Sequence, residues 1–147
     1  MALTLLVASG LALAVNKVGT DGRDFLKGSD KADNLLGNDA NDLIFGLSGN
    51  DNLLGGSGKD LVFGGTYERS LGGSKNVAGG DGNDVVFGGK GSDKVMGEEG
   101  NDYLFEGAEP GVAKLDNLFA GDGNDAVWVL NWDPTGKDVL SCGSGFD

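Results

Sequence analysis

Five aspartates, Asp24, Asp33, Asp42, Asp51 and Asp60, stand nine residues apart, each five places after a glycine. Two places beyond each lies an aliphatic residue: Leu26, Leu35, Ile44, Leu53 and Val62. The chemistry on offer is that of a carboxylate repeated in a glycine-rich turn. Other chemistries are excluded by composition. There is no histidine, which removes His-ligated zinc, a Ser-His-Asp triad and a histidine general base. Cys142 is the single cysteine, so no internal disulfide can form. No pair of carboxylates stands apart from the repeat, so a self-contained hydrolase is not expected.

The elements that must position these aspartates follow from the same nine residues. A fixed short period is the signature of a solenoid. Positions one to six are mostly Gly, Asp, Asn and Ser, which supply tight turning and unusual backbone angles. Positions seven to nine are short and mostly aliphatic or aromatic, the composition of a strand. Alternation then sends position eight to the interior and positions seven and nine outward. A length of 147 residues suits one domain. With 29 glycines but only 2 prolines, the chain is neither collagen nor a Pro-rich linker. The net charge of -12 argues against nucleic acid and anionic membrane surfaces as partners. Aliphatic residues on a strict repeat oppose disorder.

After Phe63 the period breaks and recovers. GGTYER (64–69) reads as an insertion, and SLGGSKNVA (70–78) as a degenerate unit with Lys75 in the aspartate position. GGDGNDVVF, GGKGSDKVM and GEEGNDYLF bring Asp84, Asp93 and Asp102. EGAEP (106–110) interrupts again, before the weak unit ending at Phe119 and the strong unit AGDGNDAVW with Asp125. VLNW (129–132) is a last interruption, and CGSGFD breaks off inside a unit, as a piece of a longer roll would. Residues 1–14 are uncharged and mostly apolar. They are too short to span a bilayer, and Ala12-Leu13-Ala14 fits signal-peptidase cleavage before Val15. The expectation is a signal peptide over 1–14, a repeat domain over 15–147, a secreted product and no transmembrane segment.

Over residues 19–147 the units resemble the RTX, or hemolysin-type, nonapeptide family, whose consensus is G-G-x-G-x-D-x-U-x with U a large aliphatic residue. The resemblance implies an all-β fold, a right-handed parallel β-roll with two nonapeptides per coil, and several calcium ions between stacked turns. It implies a non-enzymatic, extracellular calcium-binding module, or an accessory segment of a larger secreted enzyme, toxin or adhesin. Carried over position by position, the implied metal residues are Asp24, Asp33, Asp42, Asp51, Asp60, Asp84, Asp93, Asp102 and Asp125. With them go the turn glycines Gly19, Gly37, Gly55, Gly79, Gly82, Gly97, Gly100 and Gly123. Calcium takes six to eight hard oxygens from carboxylates and carbonyls, so two stacked turns would complete one site. Bare aspartates one strand spacing apart, about 4.8 Å, would repel; folding and calcium binding should therefore be one event.

Two units per coil sort the aspartates into two rows. One holds Asp24, Asp42, Asp60, Asp84, Asp102 and Asp125; the other holds Asp33, Asp51, Lys75, Asp93, Asp116 and Asp138. The second row should be interrupted near Lys75. The outward positions differ too. One sheet shows Phe25, Leu43, Leu61, Val85 and Tyr103 beside Phe45, Phe63, Phe87, Phe105 and Trp128, while the other shows Asn34, Asn52, Asn76, Lys94 and Asn117. So large an apolar face invites self-association or docking. An ice-binding face is not indicated, because Thr4, Thr20, Thr66 and Thr135 do not stack.

Overall fold

A computed structural model describes residues 13–65, 73–107, 116–129 and 138–145. The signal-peptide expectation falls almost wholly outside them. Among the described residues there are thirteen strands and no helix. In chain order these are β1 (Asn16–Val18), β2 (Phe25–Lys27), β3 (Asn34–Asp39), β4 (Leu43–Phe45), β5 (Asn52–Gly58) and β6 (Leu61–Phe63). They continue as β7 (Asn76–Gly82), β8 (Val85–Phe87), β9 (Lys94–Glu99), β10 (Tyr103–Phe105), β11 (Asn117–Asp122), β12 (Ala126–Trp128) and β13 (Val139–Ser141). Odd-numbered strands form one parallel sheet and even-numbered strands the other, each in sequence order. This is a parallel β-roll with two nonapeptides per coil.

Position eight builds the core. Leu26, Leu35, Ile44, Leu53, Val62, Val77, Val86, Val95, Leu104 and Leu118 are buried in a single cluster between the sheets. Each three-residue strand is too short to hold alone, and gains its stability from identical strands above and below. Outward rings on the even sheet also stack: Phe45, Phe63, Phe87, Phe105 and Trp128 lie in one column with centroids 4.4 to 4.9 Å apart. The odd sheet presents Asn34, Asn52, Asn76, Lys94 and Asn117 to solvent.

The register relocates the first two insertions. Asn34 pairs with Asn52 eighteen residues on, but Asn52 pairs with Asn76, twenty-four on. Gly64 nevertheless keeps the first turn position, its N–H bonding to Phe87 O just as that of Gly46 bonds to Phe63 O. Gly73 stacks on Gly49, a fourth-position glycine. The six extra residues therefore lie between Gly65 and Gly73, not at 64–69. Glu106 and Gly107 likewise stay in the stack, so the next insertion lies between Gly107 and Asp116, not at 106–110. Both open from turns that enter the odd sheet.

The odd-sheet strands from β3 to β11 are also longer than the three residues expected. Asn38, Gly56, Gly80, Glu98 and Gly121 pair from coil to coil, so the turns entering the even sheet extend the ladder. Second and fourth turn positions explain the glycines. Gly56, Gly80 and Gly121 have φ of 114°, 117° and 111°, and Gly58, Gly82, Gly100 and Gly123 have φ between 136° and 149°. These are conformations glycine adopts without steric cost.

Candidate metal sites

Apart from the one that ends in Lys75, the turns entering the strands end in aspartates, and the aspartates are joined. In the row entering the even sheet, the backbone N–H of Asp42 donates to Asp60 Oδ1 at 2.8 Å, and that of Asp60 to Asp84 Oδ1 at 2.8 Å. Asp84 donates to Asp102 Oδ1 at 2.8 Å and Asp102 to Asp125 Oδ1 at 2.9 Å. Asp24 begins this row by donating to Asp42 Oδ1 at 2.8 Å. In the other row Asp33 donates to Asp51 Oδ1, Lys75 to Asp93 Oδ1, Asp93 to Asp116 Oδ1 and Asp116 to Asp138 Oδ1. Lys75 has no carboxylate to continue the rung from Asp51. Asp116, in the weak unit, is nevertheless buried in the ladder.

A second ladder runs the other way. Asn41 Oδ1 accepts from the Lys59 N–H, Asn50 Oδ1 from Ser74, Asn83 Oδ1 from Asn101 and Asn101 Oδ1 from Asn124. Aspartates thus accept from the preceding coil and asparagines from the following one.

The remaining carboxylate oxygens matter most. Oδ2 of Asp42, Asp51, Asp60, Asp84 and Asp102 is buried with no hydrogen-bond partner, an arrangement that ordinarily costs about 1–3 kcal/mol per group. These oxygens face the first-position glycines. A Cβ on Gly37 would collide with Asp42 Oδ2 and Gly55 O, and one on Gly55 with Asp60 Oδ2 and Gly79 O. The same holds at Gly19 for Asp24 Oδ2 and Gly37 O, and at Gly97 for Asp102 Oδ2 and Ala120 O. At Gly79 a Cβ would strike Asp84 Oδ2. Gly82, Gly100 and Gly123 instead keep the coils close, since a Cβ on each would meet the carbonyl of Gly58, Gly82 and Gly100 in turn. Carboxylate oxygens without donors thus converge with backbone carbonyl oxygens, a set that fits a hard cation. Among the described residues no group of three or more acidic, Cys or His side chains is placed to hold a metal ion by side chains alone. A cation here would need backbone carbonyls as well as carboxylates.

The first coil differs. Thr20 donates to Asp24 Oδ2 through its N–H at 2.6 Å and its hydroxyl at 2.9 Å. Ser29 donates to Asp33 Oδ2 through its N–H and to Oδ1 through its hydroxyl. The sequence signal is a hydroxyl residue in the second turn position.

The RTX calcium-binding nonapeptide repeat profile matches four stretches of the chain, residues 18–53, 36–66, 72–105 and 113–129. This chain belongs to the RTX calcium-binding repeat family. No curated protein and no solved structure matches it. The RTX matches break at the first two insertions, as the register does. Membership makes the roll a calcium-binding module.

Burial pushes the carboxyls of this RTX roll upward from the ordinary 3.8. Asp51 and Asp102 rise to about 6, and Asp84 and Asp116 to about 7. Asp42 and Asp60 also rise, each by burial first, with the donated N–H opposing and a neighbouring aspartate adding. A folded value above the unfolded one means that the calcium-free roll holds protons the unfolded chain has released. Its stability is therefore greatest below about pH 4 and declines as pH rises toward about 7. Calcium requires the ionised form, so its apparent affinity should fall over the same window on acidification. In chelator the far-UV β-signal should grow as pH is lowered from about 7.5 to 5; a flat profile would contradict the assignment.

Proposed function

We propose that this chain is an extracellular module that folds when calcium enters its stacked turns. The observation carrying this reading is the set of buried Oδ2 atoms at Asp42, Asp51, Asp60, Asp84 and Asp102 that lack donors while facing glycine positions lined with carbonyls. A divalent ion would satisfy both and remove the repulsion along the rows. The proposed ligands are Asp24, Asp33, Asp42, Asp51, Asp60, Asp84, Asp93, Asp102 and Asp125 with carbonyls of the glycine turns. Asp24 and Asp33 would exchange hydrogen bonds from Thr20 and Ser29 for the ion. The module is read as non-enzymatic, because the carboxylates are accounted for by the repeat.

Self-association through the even sheet belongs to the same reading. Its ring column covers itself in the middle, while Phe25, Tyr103 and Trp128 remain 62%, 51% and 40% exposed. A calcium titration followed by native mass spectrometry and far-UV circular dichroism tests both parts. Expected are several added calcium ions, a coincident gain of β-signal and a dimer mass. Unchanged β-structure in chelator would sink coupled folding, and a monomer throughout would sink self-association.

Secretion gives a separate expectation. Val15 N–H lies 2.6 Å from Asp33 Oδ1, so cleavage before Val15 would set a new ammonium against that carboxylate. The intact mass of exported protein should begin at Val15; an uncleaved chain in the medium would refute it.

A further inference from the structure

Among the described residues Lys75 is the largest fully buried side chain, at 1% exposure, and it occupies the aspartate position of the row entering the odd sheet. Its backbone behaves as an aspartate's does there. The N–H donates to Asp93 Oδ1 at 2.9 Å, and the carbonyl accepts from Lys94 at 2.8 Å. The side chain runs past Gly64, where an added Cβ would meet Lys75 Cδ much as one on Gly46 would meet Asp51 Oδ2. Its ammonium then donates to two turn carbonyls, Gly73 O at 3.1 Å and Lys90 O at 3.2 Å. Gly73 belongs to its own coil and Lys90 to the next, so the charge bridges stacked turns.

A buried ammonium without partners would be prohibitively costly. Here it takes carbonyl oxygens as ligands, and its charge acts favourably on the Asp51 carboxylate one coil away. The hexapeptide of this turn is itself divided by the insertion between Gly65 and Gly73. We propose that the Lys75 ammonium is a tethered replacement for a cation, which holds this one junction together without calcium. The part concerning replacement rests on the calcium reading above; the calcium-free stabilisation does not. The consequence is regional: β5, β7 and β9 should form the portion of the roll least dependent on the ion.

Hydrogen exchange in chelator, comparing wild type with Lys75→Met and Lys75→Asp, tests this. In wild type the β7 and β9 amides should exchange about tenfold more slowly than those of β3, the scale of one charged hydrogen bond. Lys75→Met should lose that lead in chelator yet regain β-structure in calcium, which separates the effect from general misfolding. Lys75→Asp should bind one more calcium than wild type by native mass spectrometry. Unchanged protection in Lys75→Met would overturn the calcium-free role, and no added ion in Lys75→Asp would overturn the replacement. A wild type that binds no calcium would remove the functional reading, while the exchange comparison in chelator would still decide what Lys75 does.

Discussion

Asp102→Asn is expected to stabilise the calcium-free roll and destabilise the calcium-bound one. Asparagine has the same shape, so Oδ1 can still accept the Asp84 N–H now bonded at 2.8 Å. At Oδ2 the substitution brings an amide where a buried carboxylate oxygen has no donor, beside the space bordered by Ala120 O. Asp102 has its carboxyl pushed up to about 6 by burial, so at pH 7.5 the wild-type group is ionised at a cost. Removing that charge should add about 1–3 kcal/mol in chelator, the range for one unsatisfied buried polar group. In calcium the sign reverses, because a neutral amide is a poorer ligand. A site working at a hundred times its Kd contributes about 2.7 kcal/mol, which is the scale of the loss. The β-signal in chelator should therefore exceed that of wild type, while the urea midpoint in millimolar calcium should fall below it. A shift of the same sign in both conditions would show that Asp102 is not a ligand.

Gly82→Ala should be damaging whether or not calcium is present. Gly82 has φ of 141°, and a Cβ there would run into the carbonyl of Gly58 in the coil below. Strain of that kind costs about 1–3 kcal/mol, and forced separation of packed neighbours about as much again. The control is Gly22→Ala in the first coil, where a Cβ would meet only Thr20 Oγ1 at 3.7 Å. That change should lie within about 1 kcal/mol of wild type. Thermal melts of the two variants decide the matter. Equal behaviour would mean that coil spacing does not depend on the fourth-position glycine. Calcium should not rescue Gly82→Ala, because the fault is in the backbone rather than in a ligand.

Much of this architecture was legible because the repeat is strict where burial is strict. Leu35, Ile44 and Val62 could be assigned to the interior from alternation alone, and they are buried. The two-sided character of the roll followed from sorting units by eighteen. Insertion boundaries were not legible. Gly64-Gly65 and Gly72-Gly73 are equally good turn starts in sequence; the bond from Gly64 N–H to Phe87 O and the stacking of Gly73 on Gly49 distinguish them. The longer odd-sheet strands were hidden because glycine-rich turns carry no strand propensity of their own; pairing with neighbouring coils makes them strands. Lys75 reads in sequence as a missing ligand. Its ammonium binds carbonyls contributed by two coils, a relation that no linear spacing displays.

The opposed ladders give the roll a direction of growth. A coil newly arriving at the C-terminal side finds asparagine oxygens already set to receive its amides, as Lys59 finds Asn41 and Asn101 finds Asn83. In settling, it offers an aspartate oxygen to an amide of the coil before it, as Asp84 does for Asp60. The first contact guides and the second latches. A chain delivered N-terminus first through a narrow exit would then assemble as a ratchet, each coil completing its predecessor and preparing a seat for its successor.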